Sequence, residues 1–454
     1  MAKLTFDQFK SQLFDQAKAK GFTDYEAFYS AGEGFSVRVF GGEISEYKNT
    51  SSEGVGFRGT FDGKMGYSYT EDLSDEIIPR LLENAIENGS IIESDELEAL
   101  YPGADKYETV DSYNPALNTV DAKTKIDWAT ELESYTKTLD PRVKMADYAT
   151  IASGESTTAI ANSHGLNLNR KFNYASAYVI ARVEENGAMK SSYQYWHGRD
   201  FKDLDFKALA KKSVDVAVSY LGAGPIPSGK YPIIFDQDAA YSLFSTFSSI
   251  FMAENGQKGF SLLNKDKVGE VIASPLVTLR DDGITDLSLG SMAFDAEGVP
   301  TTNKPVIENG VLKSLLYNLK SAKKDGVAST GNASKAGYGG TITTSVSNFY
   351  LVPGEKSYDA LVKDMADGVI ITELAGLHSG TNAVSGDFSV SAEGYFVKQG
   401  KIEKPIDQIT VAGNFFDLLK NIQQIGSDLR FHTMGSGGFG MPSILVDGLS
   451  IAGL

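Results

Sequence analysis

Apolar residues in this chain recur first at helical spacing and then at every second position. Phe6, Phe9, Leu13 and Ala17 share one face of an N-terminal surface helix whose other positions alternate in charge. From Glu26 the period falls to two. Glu26 to Ser30, Phe35 to Phe40, Glu43 to Tyr47, Gly54 to Thr60 and Lys64 to Tyr69 read as strands of an antiparallel meander, turned at Gly41-Gly42 and Asp62-Gly63. Leu73 to Asn88 returns to helical spacing, with Ile77, Ile78, Leu81, Leu82 and Ala85 on one face and Gly89 as its stop. A polar loop from Glu93 to Ser112, a helix from Asp121 to Leu139, a second meander from Lys144 to His197 and a helix from Phe206 to Leu221 complete this half.

Gly, Pro and Ser then cluster in Gly222 to Lys230, which marks a boundary between residues 1–222 and residues 223–454. Beyond it Tyr231 to Phe235, Gly269 to Leu279, Ser314 to Asn318, Ser345 to Val352, Gly368 to Glu373, Phe388 to Gln399 and Lys401 to Val411 read as strands, and Pro442 to Leu454 as a closing one. Asp236 to Ala253, Tyr358 to Met365 and Phe415 to Ile425 read as helices. Strands and helices alternate too irregularly for a doubly wound sheet. The expected class is therefore α+β: two strand-rich domains of mostly antiparallel sheet with covering helices.

Composition narrows the function. At 454 residues the chain exceeds what one hydrophobic core organises, and 25 Phe and 22 Tyr supply ample core material. A net charge of -17, with no compensating basic run, excludes direct nucleic-acid binding as the expected role. The absence of Cys rules out disulfides and thiolate chemistry, and agrees with a cytoplasmic location. No stretch of 18 apolar residues predicts a membrane span, and the N-terminus lacks the apolar core of a signal peptide.

Several motifs invite chemistry that their context denies. Gly54, Gly56 and Gly59 fit G-x-G-x-x-G, but a strand continues where a dinucleotide fold needs a helix. Gly224 to Lys230 begins like a phosphate loop, yet Tyr231 stands where magnesium needs Ser or Thr, and two Pro remove amides. Asp281, Asp282 and Asp286 lack the alternate spacing of a calcium loop. The four His, at 164, 197, 378 and 432, are too far apart in sequence for a two-His helix. Ser379, Ser385, Ser389 and Ser436 are available near His378 and Asp387, but none sits in a nucleophile elbow.

The densest polar stretch is GLHSGTNAVSGDFSVSAEG, Gly376 to Gly394, which gathers His378, Ser379, Asn382, Asp387 and Ser389. These five are the candidate substrate- or partner-binding residues; no catalytic or metal-binding residue is assigned. Together with FDAEGVPT (Phe294 to Thr301), IENGVL (Ile307 to Leu312), STGNA (Ser329 to Ala333), GKI (Gly400 to Ile402), VAGN (Val411 to Asn414), the closing IAGL and the N-terminal SVRVFGGEISEYKNTSSEGVGFRG, this stretch resembles the TldD/PmbA family, whose members are also described as modulators of DNA gyrase. The family's TldD branch carries an H-E-x-x-x-H helix and a Cys ligand; its PmbA branch, also called TldE, lacks them. Asp236 to Ala253 corresponds to that helix and holds neither His nor Glu in the required pattern before Ala253, so the chain resembles the PmbA branch.

The resemblance implies a non-catalytic subunit of a TldD/TldE-type metalloprotease complex that processes small or unfolded peptides. Zinc is then expected only in a TldD-like partner, with no cofactor in this chain, a peptide as substrate and a homodimer when the chain is alone. Gly376 to Gly394 would line a peptide channel, cap a sheet edge toward the partner, or merely close the C-terminal domain. Two alternatives remain at this level: a stand-alone peptidase with a site around His378 and His432, and a peptide-binding regulatory module.

Overall fold

The computed structural model of the chain describes residues 3–91, 98–434 and 437–454. The expected loop residues 93–97 and the candidate Ser436 lie outside these. Helix α1 (Phe6–Lys20) starts at a capping box between Thr5 and Gln8 and ends at Gly21 in the left-handed conformation. Strands β1 (Asp24–Phe40), β2 (Glu43–Phe61) and β3 (Lys64–Thr70) precede α2 (Ile78–Ser90) and α3 (Ala122–Thr138), and β4 (Val143–Asn162), β5 (Asn167–Glu185), β6 (Ala188–Gly198) and α4 (Phe206–Ser219) follow. The six strands form one antiparallel sheet in the order β3-β2-β1-β4-β5-β6. Alternation along β1 sorts its two faces. Ala27 packs under α1 and α2, and Val37 and Val39 pack under α3 and α4. Phe28 points the other way, to Phe294 of the C-terminal half.

The C-terminal half contains β7 (Gly229–Phe235), α5 (Gln237–Phe247), α6 (Ala253–Gln257), β8 (Leu279–Asp282), β9 (Asn303–Glu308), β10 (Val311–Leu312) and α7 (Leu319–Asp325). Next come β11 (Ala333–Lys335), β12 (Ile342–Thr344), β13 (Asn348–Leu351), α8 (Tyr358–Met365), β14 (Gly368–Ala375), α9 (Leu377–Gly380), β15 (Asp387–Lys398) and β16 (Lys401–Asn414). The chain closes with α10 (Phe415–Lys420), β17 (Ile422–Ile425), β18 (Arg430–Met434), β19 (Gly437–Met441) and β20 (Ile444–Ala452). One sheet runs β16-β15-β14-β7-β20-β17, and β16 also pairs with β20, so five of its strands close into a ring without a free edge. A second sheet runs β10-β9-β8-β13-β19-β18, and α5 contributes Ala239, Ala240, Leu243, Phe244 and Phe247 to the core between them. The fold is α+β, with parallel pairing only at β7–β14 and β13–β19 among the named strands. No helix among the described residues is long and apolar enough to cross a membrane.

Several expected elements take a different form. The Gly- and Ser-rich interruptions of the first meander stay extended, so four short strands become the two long ones, β1 and β2, paired along their length. Gly269 to Leu279 and Ser314 to Asn318 give isolated bridges at Val271 and Leu316 instead of strands, each pairing with its neighbour through a single residue. The helix expected over Phe415 to Ile425 stops at Lys420, and Ile422–Ile425 pairs with β20. An available edge overrides the local helical spacing there.

The halves are joined across a polar seam. Arg58 of β2, buried, holds Glu26 at 2.7 Å and reaches Glu297 at 3.8 Å and Glu98 at 3.9 Å. Lys190 reaches across to Asp407 at 2.6 Å. The β11–β12 hairpin lies on β2, where a Cβ on Gly54 would meet the Tyr338 ring at 2.7 Å and one on Gly56 the Tyr338 carbonyl oxygen at 2.2 Å. The glycines that imitate a dinucleotide motif thus serve close backbone approach.

Candidate functional site

A cavity of about 540 Å³ opens between the two halves. Its N-terminal wall is β6 and α4; its C-terminal wall is the start of α5, the end of β14, Tyr395 and the β18 residues Arg430 and His432. Alternation along β6 sends Tyr193, Tyr195 and His197 to one face, their rings in contact at centroid distances of 5.7 and 5.1 Å. Tyr220, Tyr241 and Tyr395 add further aromatic surface.

His432 is the best-defined polar group. Its ring stacks on Tyr241 at 4.1 Å, Tyr195 Oη hydrogen-bonds its Nδ1, and its Nε2 faces Asp238 Oδ1 at 3.5 Å. Burial, with Arg430 and His197 nearby, lowers its pKa to about 4 against the pull of Asp238, so the ring is neutral at pH 7. Asp236 caps α5 by accepting from the amides of Asp238 and Ala239 at 3.0 and 2.9 Å. Burial and the Asp238 charge push its carboxyl up to about 8. Burial also raises Glu373 and lowers Lys212. Two groups of the wall, Asp236 and His432, are therefore neutral at pH 7.

Neither a serine paired with an imidazole nor a cluster of metal-ligating side chains is present in the cavity among the described residues. Ser242 donates its hydroxyl to the Asp238 carbonyl at 2.8 Å, away from any imidazole. Gln237 donates its amide to the Asp428 carbonyl. Among the described residues, no three His, Asp or Glu side chains converge as a metal site. What the cavity offers is shape, aromatic surface and a few hydrogen-bonding groups, the properties of a binding site.

The candidate residues of Gly376 to Gly394 lie elsewhere. His378 and Ser379 are exposed on the short α9, Asn382 is exposed in the following turn, and Asp387 and Ser389 are exposed on β15. None lines the interdomain cavity. Asn382 accepts from the amides of Val384 and Ser385 at 2.9 and 3.2 Å, and Asp387 accepts from Ser385 at 2.7 Å and from Asn414 at 2.9 Å. Asn382, Ser385, Asp387 and Asn414 are thus brought together as a self-satisfied turn. The structure does not place His378 in the cavity that holds His432. Tyr195, Asp238, Tyr241 and Arg430 carried no local motif; the alternating Tyr-x-Tyr-x-His of β6 was the one readable signal.

Comparison with known proteins agrees with this architecture. Domain models of the PmbA/TldA metallopeptidases match residues 25–89 (domain 1), 115–221 (central domain) and 228–453 (C-terminal domain). The chain belongs to the PmbA/TldD family. It is 27% identical to the metalloprotease PmbA of Escherichia coli O157:H7 over 94% of this chain and 92% of that protein. It is 25% identical to a metalloprotease TldD homolog of Buchnera aphidicola, covering 90% of this chain and 88% of that one. A crystal structure of a Thermotoga maritima protein, named for modulation of a DNA gyrase, superposes with a TM-score of 0.91 at 33% identity, over 99% of this chain and 100% of the other. The first two family segments share one sheet, since β1 of the first pairs with β4 of the second.

Proposed function

We propose that this chain is the non-catalytic, PmbA/TldE-type subunit of a metalloprotease complex that processes small or unfolded peptides, with a TldD-like subunit supplying zinc. One observation carries the reading. The residues at i, i+1 and i+5 of α5 that reach the cavity are Gln237, Asp238 and Ser242. That is the spacing of the H-E-x-x-x-H pattern, with an amide and a hydroxyl where zinc needs imidazoles. Both are already hydrogen-bonded within the protein, so the cavity keeps its place in the fold without the donor set for the metal.

The cavity then receives an extended segment of substrate, and the exposed side chains His378, Ser379 and Ser389 face the partner subunit. Without that partner, two copies of this chain associate through the same surface. The complex works in the cytoplasm and makes no direct contact with DNA. The test is reconstitution: an unstructured peptide is incubated with this chain, with a TldD-like subunit, and with both, and zinc is measured in each protein. Cleavage is expected only when the TldD-like subunit is present and to rise on adding this chain, which should hold no stoichiometric zinc. Cleavage by this chain alone in metal-free buffer would overturn the reading.

A further inference from the structure

A second cavity on the seam, about 190 Å³, is walled by Phe28 of β1, Arg170 of β5 and the segments 331–335 and 345–347 of the C-terminal half. Two cations face it. Lys335 Nζ lies over the Phe28 ring at 4.6 Å, and the Arg170 guanidinium lies 5.7 Å from the Phe294 ring. Neither has a carboxylate within 4.0 Å among the described residues. Glu26 pairs with Arg58 at 2.7 Å, and Asp295, which lines the same cavity, accepts from the amides of Glu297, Val299 and Ala333, each at 2.9 Å. Burial lowers Lys335 to about 8 and Arg170 to about 10, and both remain charged at pH 7. Glu26 and Asp295 offset part of this positive charge, and the remainder is open to an anion that enters the space.

The adjoining cavity, about 250 Å³, shares Arg170 and Met292 with the first. Phe172, Tyr174 and Met292 give it an apolar wall, and Glu155, held by Tyr113 and Asn118, stands at its side. Positive charge and hydroxyls (Ser334, Ser345, Ser347) therefore lie directly beside an apolar volume, with an acid placed to repel a second negative charge. A bare phosphate would use the cations and leave the apolar volume empty. A C-terminal amino acid with an apolar side chain uses both.

We propose that this seam anchors the C-terminal carboxylate of a peptide between Arg170 and Lys335, with the terminal side chain against Phe172, Tyr174 and Met292. The assignment rests on the peptide-handling function above and adds the polarity with which the peptide lies along the seam. It is tested by calorimetric titration of the isolated full chain with N-acetyl-Ala-Ala-Phe as the free acid and as the C-terminal amide, and with inorganic phosphate. The free acid is expected to bind about tenfold or more tighter than the amide, the span of a charge-assisted pair. Lys335→Met and Arg170→Gln should each remove that preference while leaving the unliganded melting temperature equal or higher, since each deletes a half-buried cation that has no carboxylate within 4.0 Å among the described residues. Should one variant fail to fold, the other carries the same comparison. Equal binding of acid and amide overturns the anchor and leaves peptide handling standing; binding of neither peptide overturns both. Phosphate binding without a preference for the free acid, or variants that melt lower and keep the preference, also refutes the assignment.

Discussion

Gly56→Ala tests the docking of the two halves with a single methyl group. A Cβ at this position would lie 2.2 Å from the Tyr338 carbonyl oxygen and 2.9 Å from Lys335 Nζ, where ordinary contact begins at 3.4 Å. The lysine head can swing aside, but the carbonyl belongs to the β11–β12 hairpin, whose backbone must move by about an ångström. Overpacking of this kind costs about 1–3 kcal/mol. Because a backbone atom is the obstacle, a loss near 3 kcal/mol is expected. Gly224→Ala provides the control: its Cβ would meet nothing within 4 Å, and its loss of unfolded-state freedom favours folding by about 0.4–1 kcal/mol where the backbone suits alanine. Urea unfolding followed by far-ultraviolet circular dichroism reads both. If Gly56→Ala is as stable as Gly224→Ala, the hairpin does not sit on β2 as described. The same shift displaces Lys335, so Gly56→Ala should also weaken binding of the free-acid peptide.

Asp236→Asn retains the α5 cap and removes a carboxyl held near 8, so it should stabilise the protein at pH 8 by about 1–3 kcal/mol, with a smaller gain at pH 5. The sign follows from the raised value: the folded state keeps its proton while the unfolded chain releases it above about 3.9, so the wild type loses stability as pH rises toward 8. His432 runs the other way. With its pKa near 4, protonation favours the unfolded chain, and stability should fall by up to about 3 kcal/mol between pH 6.5 and 4; His432→Phe should flatten that part of a melting-temperature profile. Asp387→Ala removes the contacts to Ser385 and Asn414 on an exposed turn and should lower the urea midpoint only slightly. His378→Ala should leave stability within about 0.5 kcal/mol and weaken co-purification with a TldD-like subunit.

The strands of the first meander were legible because their period of two places Val37 and Val39 in the core and their polar neighbours outside. Their length was not legible. Gly32, Gly34 and Ser51 to Gly54 look like interruptions, yet Gly32 and Gly34 of β1 are paired with both β2 and β4, and Ser51 to Gly54 of β2 with β1, which keeps them extended. The end of α10 was hidden for a similar reason: only the edge of β20 turns Ile422–Ile425 from helix into strand. For the site, composition and spacing excluded a metal helix and a nucleophile elbow. They also drew attention to Gly376 to Gly394, where His, Ser and Asp gather in sequence but the side chains mostly cap one another.

Family membership, the α+β class and the absence of an H-E-x-x-x-H run were legible in the sequence alone, since each depends on which residues are present and how they are spaced. The cavities were decided by tertiary structure. Tyr195 and His432 are separated by 237 positions and share a hydrogen bond. Arg170 and Lys335 come from opposite halves and face one space. Periodicity records which face of an element is buried; it carries no record of what the buried face meets, and burial against particular neighbours makes Asp236 a weak acid, His432 a neutral ring and Lys335 a cation with a lowered pKa.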